Sequence, residues 1–324
     1  MPARYVQPLR ILVQLVFLSV ACGTGFQFYR FVEYFRSAGV VGFISRPAGI
    51  ESFLPISGLL GTASWLKGGG INHIHPAAMV AFLTVLAGAL LLRRSFCSWI
   101  CPVATISECS WKLGFKTVRR NWRFPGWLDI PLRSLKYLLL IFFVYSIAVA
   151  MSADELQRFI QSDYHKIADV RLLDFFLQIS PRALTILAGI LLSSLLLRNP
   201  FCRYLCPYGA LLGLLAMLSP FRITRDEGRC VSCGVCSAVC PTHINVMQSV
   251  SVSSPECIGC WRCVSHCRFN DALSVRCAGR YPVSGIVFAA LVVLLFWGGT
   301  QLGKAGGFWE TSLTLQEYAR LLGK

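Results

Sequence analysis

The stretch "CVSCGVCSAVCP" at residues 230–241 decides the fold, because its cysteines follow a fixed spacing. Two residues separate the first cysteine from the second and the second from the third. Three residues separate the third cysteine from the fourth, and a proline follows the fourth. A second stretch, "CIGCWRCVSHC" at residues 257–267, repeats this spacing, except that Arg268 stands where the proline would be. Cysteines at such short, repeated intervals in a large apolar chain indicate metal binding rather than a disulfide framework.

The spacing predicts two [4Fe–4S] clusters. In this pattern three close thiolates bind one iron–sulfur cube, and the fourth cysteine of each run reaches the other cube. Structural zinc sites use pairs of cysteines rather than such triplets, so zinc does not account for the pattern. The predicted ligands are Cys230, Cys233, Cys236 and Cys267 for the first cluster, and Cys257, Cys260, Cys263 and Cys240 for the second.

The rest of the chain has the composition of a membrane protein. Of its 324 residues, 55% are hydrophobic and 14% are charged, whereas soluble domains average about 25% charged residues. The net charge of +16 agrees with basic loops beside anionic lipid, so no nucleic-acid partner is expected. A helix needs about 20 apolar residues to cross a bilayer, with about 17 as the lower limit. Five stretches approach or reach this length: residues 9–28, 76–92, 135–151, 182–197 and 283–299.

We therefore expect a mainly α fold, a polytopic membrane helix bundle of about five spans with an inserted module of the bacterial two-[4Fe–4S] ferredoxin type. The expected domains are a membrane bundle over 1–220, the cluster module over 221–281, and a last membrane helix with an extracytoplasmic tail over 282–324.

Charge predicts the orientation of the bundle, because basic loops stay in the cytoplasm. The loop 93–136 has nine basic residues against two acidic ones, and the loop 152–182 has four against five. The first loop and the cluster module are therefore expected on the cytoplasmic side.

A second cysteine motif occurs twice, as "FCSWICP" at 96–102 and "FCRYLCP" at 201–207. Each copy follows an apolar segment that ends in arginine, and the two segments are predicted to run in the same direction. A two-fold axis along the membrane normal would then bring all four thiols to one depth. Three interpretations stay open, namely a further iron–sulfur centre, redox-active dithiols, or buried structural cysteines. The cysteines concerned are Cys97, Cys101, Cys202 and Cys206.

The proline that ends each copy suits the first position of a helix. Cys101 and Cys206 are then predicted to be N-caps. At that position the helix dipole is expected to lower the pKa of both thiols.

Two histidines are candidates for a quinone site. His73 and His75 precede the second predicted span, where a histidine beside a quinone head group would accept the proton released on quinol oxidation. The alternative is that lipid head groups solvate them. Arg46 and Glu51, beside an apolar segment, are either a structural pair or part of a ligand pocket.

The combination resembles the NapH/NosR/MauN-type family of membrane polyferredoxins, which are 4Fe-4S membrane proteins with two Cys-x-x-x-Cys-Pro motifs. The stretches "RSFCSWICPVATISE" and "FCRYLCPYGALLG" carry the resemblance together with the two longer cysteine runs, over about residues 76–281. It implies a multi-pass protein of the bacterial cytoplasmic membrane. It also implies that the protein links the quinone/quinol pool to a redox partner in anaerobic or nitrogen-oxide-type respiration, with a flavoprotein, a cytochrome or a reductase subunit as that partner.

Two classes of function follow. The first is an electron-transfer subunit that resembles quinol dehydrogenases, rather than a stand-alone enzyme, because no substrate-processing catalytic constellation is evident in the sequence. The second is a maturation or regulatory protein that reduces a metal centre or a disulfide in a partner enzyme. Bleaching of cluster absorbance by quinol would distinguish the first class from the second.

Overall fold

The computed structural model describes residues 3–37, 39–119, 121–269 and 272–322. Its α-helices are, in chain order, α1 (Val6–Arg36), α2 (Pro55–Leu66), α3 (Pro76–Leu92), α4 (Ser95–Trp99), α5 (Pro102–Val118), α6 (Gly126–Val144), α7 (Ala153–Ile160), α8 (Asp163–Lys166), α9 (Ala168–Leu177), α10 (Pro181–Leu196), α11 (Pro207–Ala216), α12 (Val235–Ala238), α13 (Arg262–Ser265), α14 (Gly285–Ala305) and α15 (Leu315–Leu322). The strands are β1 (Phe221–Arg225), β2 (Ser251–Val252), β3 (Leu273–Cys277) and β4 (Tyr281–Val283). Short 3₁₀ turns cover Ala3–Tyr5, Ala48–Phe53 and Val246–Gln248, and π turns cover Tyr145–Ala150 and Phe201–Leu205.

Several helices are apolar enough to cross a membrane. Among the described residues, three reach the necessary length, namely α1, α6 extended to Ala150 by its π turn, and α14. The pair α9 and α10 would add a fourth span, although the two helices meet at 81°. Helix α3 is apolar and has 17 residues, the lower limit for a bilayer. A mainly helical membrane protein is thus confirmed, with three to four spans by length against the five predicted.

The chain divides into two compact units. Unit 1 comprises residues 1–18, 85–140 and 187–296, and unit 2 comprises 19–84, 141–186 and 297–324. These units cut the chain differently from the domain boundaries expected at residues 220 and 281, which stay predictions.

Unit 1 contains the sheet and the aromatic core that packs on it. The sheet is antiparallel with the order β2-β1-β3-β4, and Ile223 of β1 is opposite Val252 of β2. Phe288, in the first turn of α14, is 1% exposed. Its ring centroid lies 5.9 Å from that of Trp99 and 5.4 Å from that of Trp261. These contacts join the end of α4, the second cysteine run and α14 in one core.

A buried ion pair ties α1 to α5 within unit 1. Arg10 is 0% exposed, and its Nη1 and Nη2 donate to the two carboxylate oxygens of Glu108 at 2.8 and 2.6 Å. Burial would raise the pKa of Glu108, but the hydrogen bonds and charges of Arg10 and Lys112 hold it below its usual range. This pair was not predicted from the sequence, because its members are 98 residues apart.

Unit 2 encloses a network of buried charged side chains. Arg46 bridges Glu51 and Asp169 at 2.9 and 2.7 Å, so the structure makes Arg46 and Glu51 an ion pair. His75 Nδ1 lies 3.4 Å from Glu51, and His75 Nε2 lies 2.8 Å from the carbonyl oxygen of His165. The two imidazole rings are 5.0 Å apart.

The two histidines of this network have opposite pKa shifts. Burial alone would lower the pKa of His75, but the hydrogen bond and charge of Glu51 raise it above the ordinary value. Burial and the positive charge of His75 lower the pKa of His165 to about 4. At neutral pH His165 is therefore uncharged, and the charge of Glu51 favours a proton on His75 rather than on His165.

We predict that Glu108→Gln destabilises the protein by about 3–5 kcal/mol, because it leaves the buried Arg10 cation without its counter-charge. Lys112→Gln is the matched control. Lys112 contacts the same carboxylate but is 37% exposed, so its loss should cost less than about 1 kcal/mol. Urea unfolding in detergent micelles, followed by circular dichroism, measures both. Equal free energies of unfolding for the two variants would contradict the assigned role of the buried pair.

We also predict that the histidine network gives stability a maximum near the unperturbed histidine pKa of about 6.5. The pKa of His75 is raised, so its contribution is full below about 6.5 and is lost as pH rises through the raised value. The pKa of His165 is lowered, so its contribution is lost as pH falls from about 6.5 towards about 4.

Thermal unfolding midpoints across this pH range test the network. His75→Asn should remove the alkaline loss, and His165→Asn should remove part of the acid loss. His73→Asn changes an exposed histidine and should leave the profile as in the wild type. A His75→Asn profile parallel to the wild-type profile would refute the assignment.

Candidate iron–sulfur and thiol sites

The four cysteines predicted for the second cluster line one cavity in unit 1. The walls between them are apolar and include Ile223 of β1 and Val252 of β2. The fourth thiol comes from the first run, as the predicted crossover requires. This donor set fits a [4Fe–4S] cluster. The cysteines, all buried, are Cys240, Cys257, Cys260 and Cys263.

Both cysteine runs follow the same backbone path. The third and fifth positions of each run have left-handed φ angles, 54° at Ser232 and 74° at Gly234, and 58° at Gly259 and 61° at Trp261. Left-handed residues alternating with right-handed ones form the backbone concavities that surround anions and many iron–sulfur centres. The repeated conformation therefore suits the same ligand in both runs.

The cysteines predicted for the first cluster are less buried. Cys236 is buried, Cys230 and Cys267 are half-buried, and Cys233 is exposed. The backbone N–H of Ser232 and the guanidinium of Arg225 hydrogen-bond the Cys230 sulfur and lower its pKa.

Burial has the opposite effect in the second set, where it raises the pKa of Cys260 to about 12. Metal binding there must release protons from the thiols. In the described part of the chain, no three histidine, cysteine or carboxylate side chains are spaced to hold a single metal ion. A cube of four irons holds its ligands farther apart than one ion does.

The four thiols of the two Cys-x-x-x-Cys-Pro motifs also come together in unit 1. Cys97 and Cys202 line a second cavity, and Cys101 and Cys206 lie close enough to shift the pKa values of neighbouring thiols. Cys101 is the N-cap of α5 and Cys206 is the N-cap of α11, each followed by its proline, as predicted. The Cys206 sulfur accepts a hydrogen bond from the backbone N–H of Gly209 at 3.2 Å.

The prediction that the helix dipole lowers the pKa of these N-cap thiols is wrong. Burial raises the pKa of Cys101 to about 12 and also raises that of Cys206. Backbone N–H groups at the helix starts oppose the shift, but the loss of water around a thiolate outweighs them.

Arg94 supplies a positive charge beside these thiols. It is 2% exposed, its guanidinium hydrogen-bonds Cys97, and its Nη1 donates to the carbonyl oxygen of Pro255 at 3.0 Å. Two glycines of α11 leave room for this contact. A Cβ at Gly209 would lie 2.9 Å from Arg94 Nη2, and a Cβ at Gly213 would lie 2.8 Å from the Pro255 oxygen.

The same motifs, with the arginines that precede them, hold the two loops that carry the predicted ligands of the second cluster, residues 238–242 and 252–260, which we call the ligand loops. Donors in and just before the first motif bind backbone carbonyl oxygens of the later loop; the pairs are Arg93 with Val252, Arg94 with Pro255, Ser98 with Ile258 and Trp99 with Gly259. Donors around the second motif bind the earlier loop; the pairs are Arg198 with Ala238 and Cys240, and Arg203 with Thr242.

The cavity of the second cluster and the cavity at the motif thiols share a wall. Pro241, Thr242 and Ile258 line both. These three residues therefore separate the motif thiols from the thiols predicted to bind the second cluster.

A buried Lys136–Glu256 pair, with 2.6 Å between Nζ and Oε1, adjoins this region, since Glu256 also lines the motif-thiol cavity. Neither this pair nor the role of Arg94 was predicted from the sequence. The arginine that ends each apolar segment, just before the cysteine motif, could have indicated the role of Arg94.

The structure does not bring His73 and His75 to one site. His73 is exposed, whereas His75 is fully buried in the charged network of unit 2. A direct quinone contact therefore stays a prediction, and the exposure of His73 suits it better than the burial of His75.

Comparison with known proteins agrees with this geometry. A family model described as a 4Fe-4S binding domain matches residues 74–125 and 179–225, one segment for each Cys-x-x-x-Cys-Pro motif. A second, described as a 4Fe-4S dicluster domain, matches residues 222–268. No solved structure shows significant similarity to the chain.

Several characterised or named proteins are similar in sequence. YccM of Escherichia coli strain K12, whose name assigns it provisionally to electron transport, is 38% identical over 95% of this chain and 88% of its own length. The ferredoxin-type protein NapH of the same organism is 28% identical over 66% of this chain and 72% of its own. The regulatory protein NosR of Pseudomonas aeruginosa is 28% identical over 56% of this chain but only 25% of its own. The chain therefore belongs to the membrane polyferredoxin family that includes NapH, MauN and NosR, and it is an electron-transport membrane protein with ferredoxin-type 4Fe-4S domains.

Proposed function

We propose that the protein transfers electrons between the membrane quinol pool and a redox partner protein, with two [4Fe–4S] clusters in its ferredoxin-type module. The observation that supports this most is the wall of Pro241, Thr242 and Ile258, which the motif-thiol cavity and the second-cluster cavity share. Quinol oxidation releases two electrons and two protons. Iron–sulfur clusters, when bound, supply one-electron chemistry.

Residues of the chain itself fix the geometry and the charge along the proposed electron path. The carbonyl contacts of both motifs fix the ligand loops, and therefore the separation between the two sets of thiols. Arg94, nearly inaccessible to water, offsets negative charge on the thiol side. A rigid path with little water suits electron transfer, because few groups must reorganise when the charge moves.

A maturation or regulatory role is the second candidate, and the name of NosR as a regulatory protein supports it. Such a role would use the motif thiols to reduce a disulfide or a metal centre in a partner. Thiol exchange requires a thiolate, and burial raises the pKa of Cys101 and Cys206. We therefore favour the relay over the exchange of thiols with a partner.

The proposed location is the bacterial cytoplasmic membrane. The excess of basic residues over 93–136 supports placing this loop and the ferredoxin-type module in the cytoplasm. The partner would then be a flavoprotein, a cytochrome or a reductase subunit, as proposed from the family resemblance.

We predict about eight iron atoms per chain in anaerobically purified protein, from two [4Fe–4S] clusters. Cys240→Ser should remove about half of this iron, because Cys240 crosses over to the second set of thiols. Cys277→Ser, which changes a cysteine of β3 outside both runs, is the matched control and should retain all iron. Stoichiometric zinc, or an unchanged iron content in Cys240→Ser, would contradict the ligand assignment.

We further predict that the four motif thiols fail as a set. Serine at any one of Cys97, Cys101, Cys202 or Cys206 should slow quinol-dependent bleaching of cluster absorbance nearly as much as serine at all four, because the members of a cluster site or of a redox dithiol act together. Cys109→Ser, at an exposed cysteine of α5, is the control and should be as fast as wild type.

The iron content of these variants completes the test. Iron above that of the ferredoxin-type module, lost in the motif variants, would indicate a third centre, whereas unchanged iron with slow bleaching would indicate dithiols. Wild-type rates in the quadruple variant would show that the thiols only pack at the helix starts.

A further inference from the structure

A third cavity of unit 1 is lined by an excess of positive charge. It lies between the start of α6 and the residues that follow α10, and it has a volume of about 140 Å³. The two segments meet directly, because the backbone N–H of Trp122 donates to the carbonyl oxygen of Leu196 at 2.9 Å. We call it the arginine pocket, and its arginines are Arg123, Arg133, Arg198 and Arg203.

The arginine pocket carries more positive charge than its own acidic group can offset. Asp129 is the one carboxylate among the residues that line it, against four guanidinium groups. Its oxygens are already occupied by Arg203 at 2.9 and 2.7 Å, by Arg133 at 3.0 Å, and by the Tyr204 hydroxyl at 2.8 Å. Four positive charges against one negative charge leave a net charge of +3.

The two remaining arginines have no acidic partner in the described part of the chain. Arg198 donates to neutral oxygens, including the Asn121 side chain at 3.2 Å. Arg123 is exposed. A small cavity lined by guanidinium groups is a typical binding site for a phosphate group.

The position of the pocket indicates where that phosphate comes from. It lies at the start of α6, which with its π turn is a candidate membrane span, and at the end of α10, which is a candidate span together with α9. Trp122 and Trp127 beside it are 55% and 76% exposed, as is usual for tryptophans at the level of lipid head groups. Basic pockets between membrane helices bind anionic head groups. We propose that the arginine pocket binds the phosphate group of an acidic membrane phospholipid.

Spin-labelled lipids test the proposal on the full-length protein in phosphatidylcholine vesicles. Electron paramagnetic resonance measures how strongly the protein immobilises labelled phosphatidylglycerol relative to labelled phosphatidylcholine. We expect the wild type to prefer phosphatidylglycerol. Arg123→Gln should reduce this preference by about fivefold, and Arg123→Gln/Arg133→Gln by more, since each basic group near the membrane surface contributes a similar factor.

Arg280→Gln is the matched control. It removes the same charge from an exposed turn between β3 and β4 and should leave the preference unchanged. Within the described ranges Arg123 has no ion pair to lose, so Arg123→Gln keeps the test valid if the double variant fails to fold; circular dichroism and iron content verify folding. An equal preference in the wild type and Arg123→Gln would overturn the proposal.

Calorimetry with inorganic phosphate on delipidated protein in detergent distinguishes a lipid from a free anion. Phosphate binding that Arg123→Gln weakens, together with a phosphatidylglycerol preference, supports the lipid phosphate group as the ligand. Phosphate binding without any phosphatidylglycerol preference would identify a free phosphate as the ligand and overturn the lipid assignment.

Discussion

The structure depends on hydrogen bonds between buried side-chain donors and the backbone carbonyls of the ligand loops. A loop that wraps a metal centre has few regular partners for its own carbonyl groups, and a carbonyl buried without a partner costs free energy. Here Arg93, Arg94, Ser98 and Trp99 satisfy the loop 252–260, and Arg198 and Arg203 satisfy the loop 238–242. The arginines need partners equally, because a buried guanidinium has five donors. The loop carbonyl groups and the side-chain donors thus lower each other's cost of burial.

This mutual dependence explains why the short motif occurs twice. One copy holds the loop that supplies Cys257 and Cys260 of the second set, and the other holds the loop that supplies Cys240. The residues around the two copies are not identical. Ser95–Trp99 forms an α-helical turn, whereas Phe201–Leu205 forms a π turn, a rarer form that occurs frequently at functional sites. The two copies therefore share the role of holding a ligand loop but differ in their backbone geometry.

Features that depend on a few neighbouring residues could be predicted from the sequence, whereas contacts between distant residues could not. The cysteine spacing and the two prolines at helix starts were informative, because ligand geometry and helix capping act over a few residues. The Arg10–Glu108 pair and the contacts of Arg46 with Asp169 and of His75 with Glu51 were not predictable, because their members are far apart in sequence and many charged residues compete as partners. The pKa of Cys101 was predicted with the wrong sign, since the helix start is visible in the sequence but burial of the sulfur is not. Five spans were expected from apolar length alone, which does not reveal the bend between α9 and α10.

The position of Phe288 has a consequence for biosynthesis. Its ring fills the space between Trp99 and Trp261, yet it follows both cysteine runs in the chain. Every thiol ligand has therefore left the ribosome before the residue that completes the surrounding core. Until α14 emerges, the second cysteine run lacks the aromatic ring that packs on it. The core around this run can therefore be completed only after the start of α14 has been synthesised.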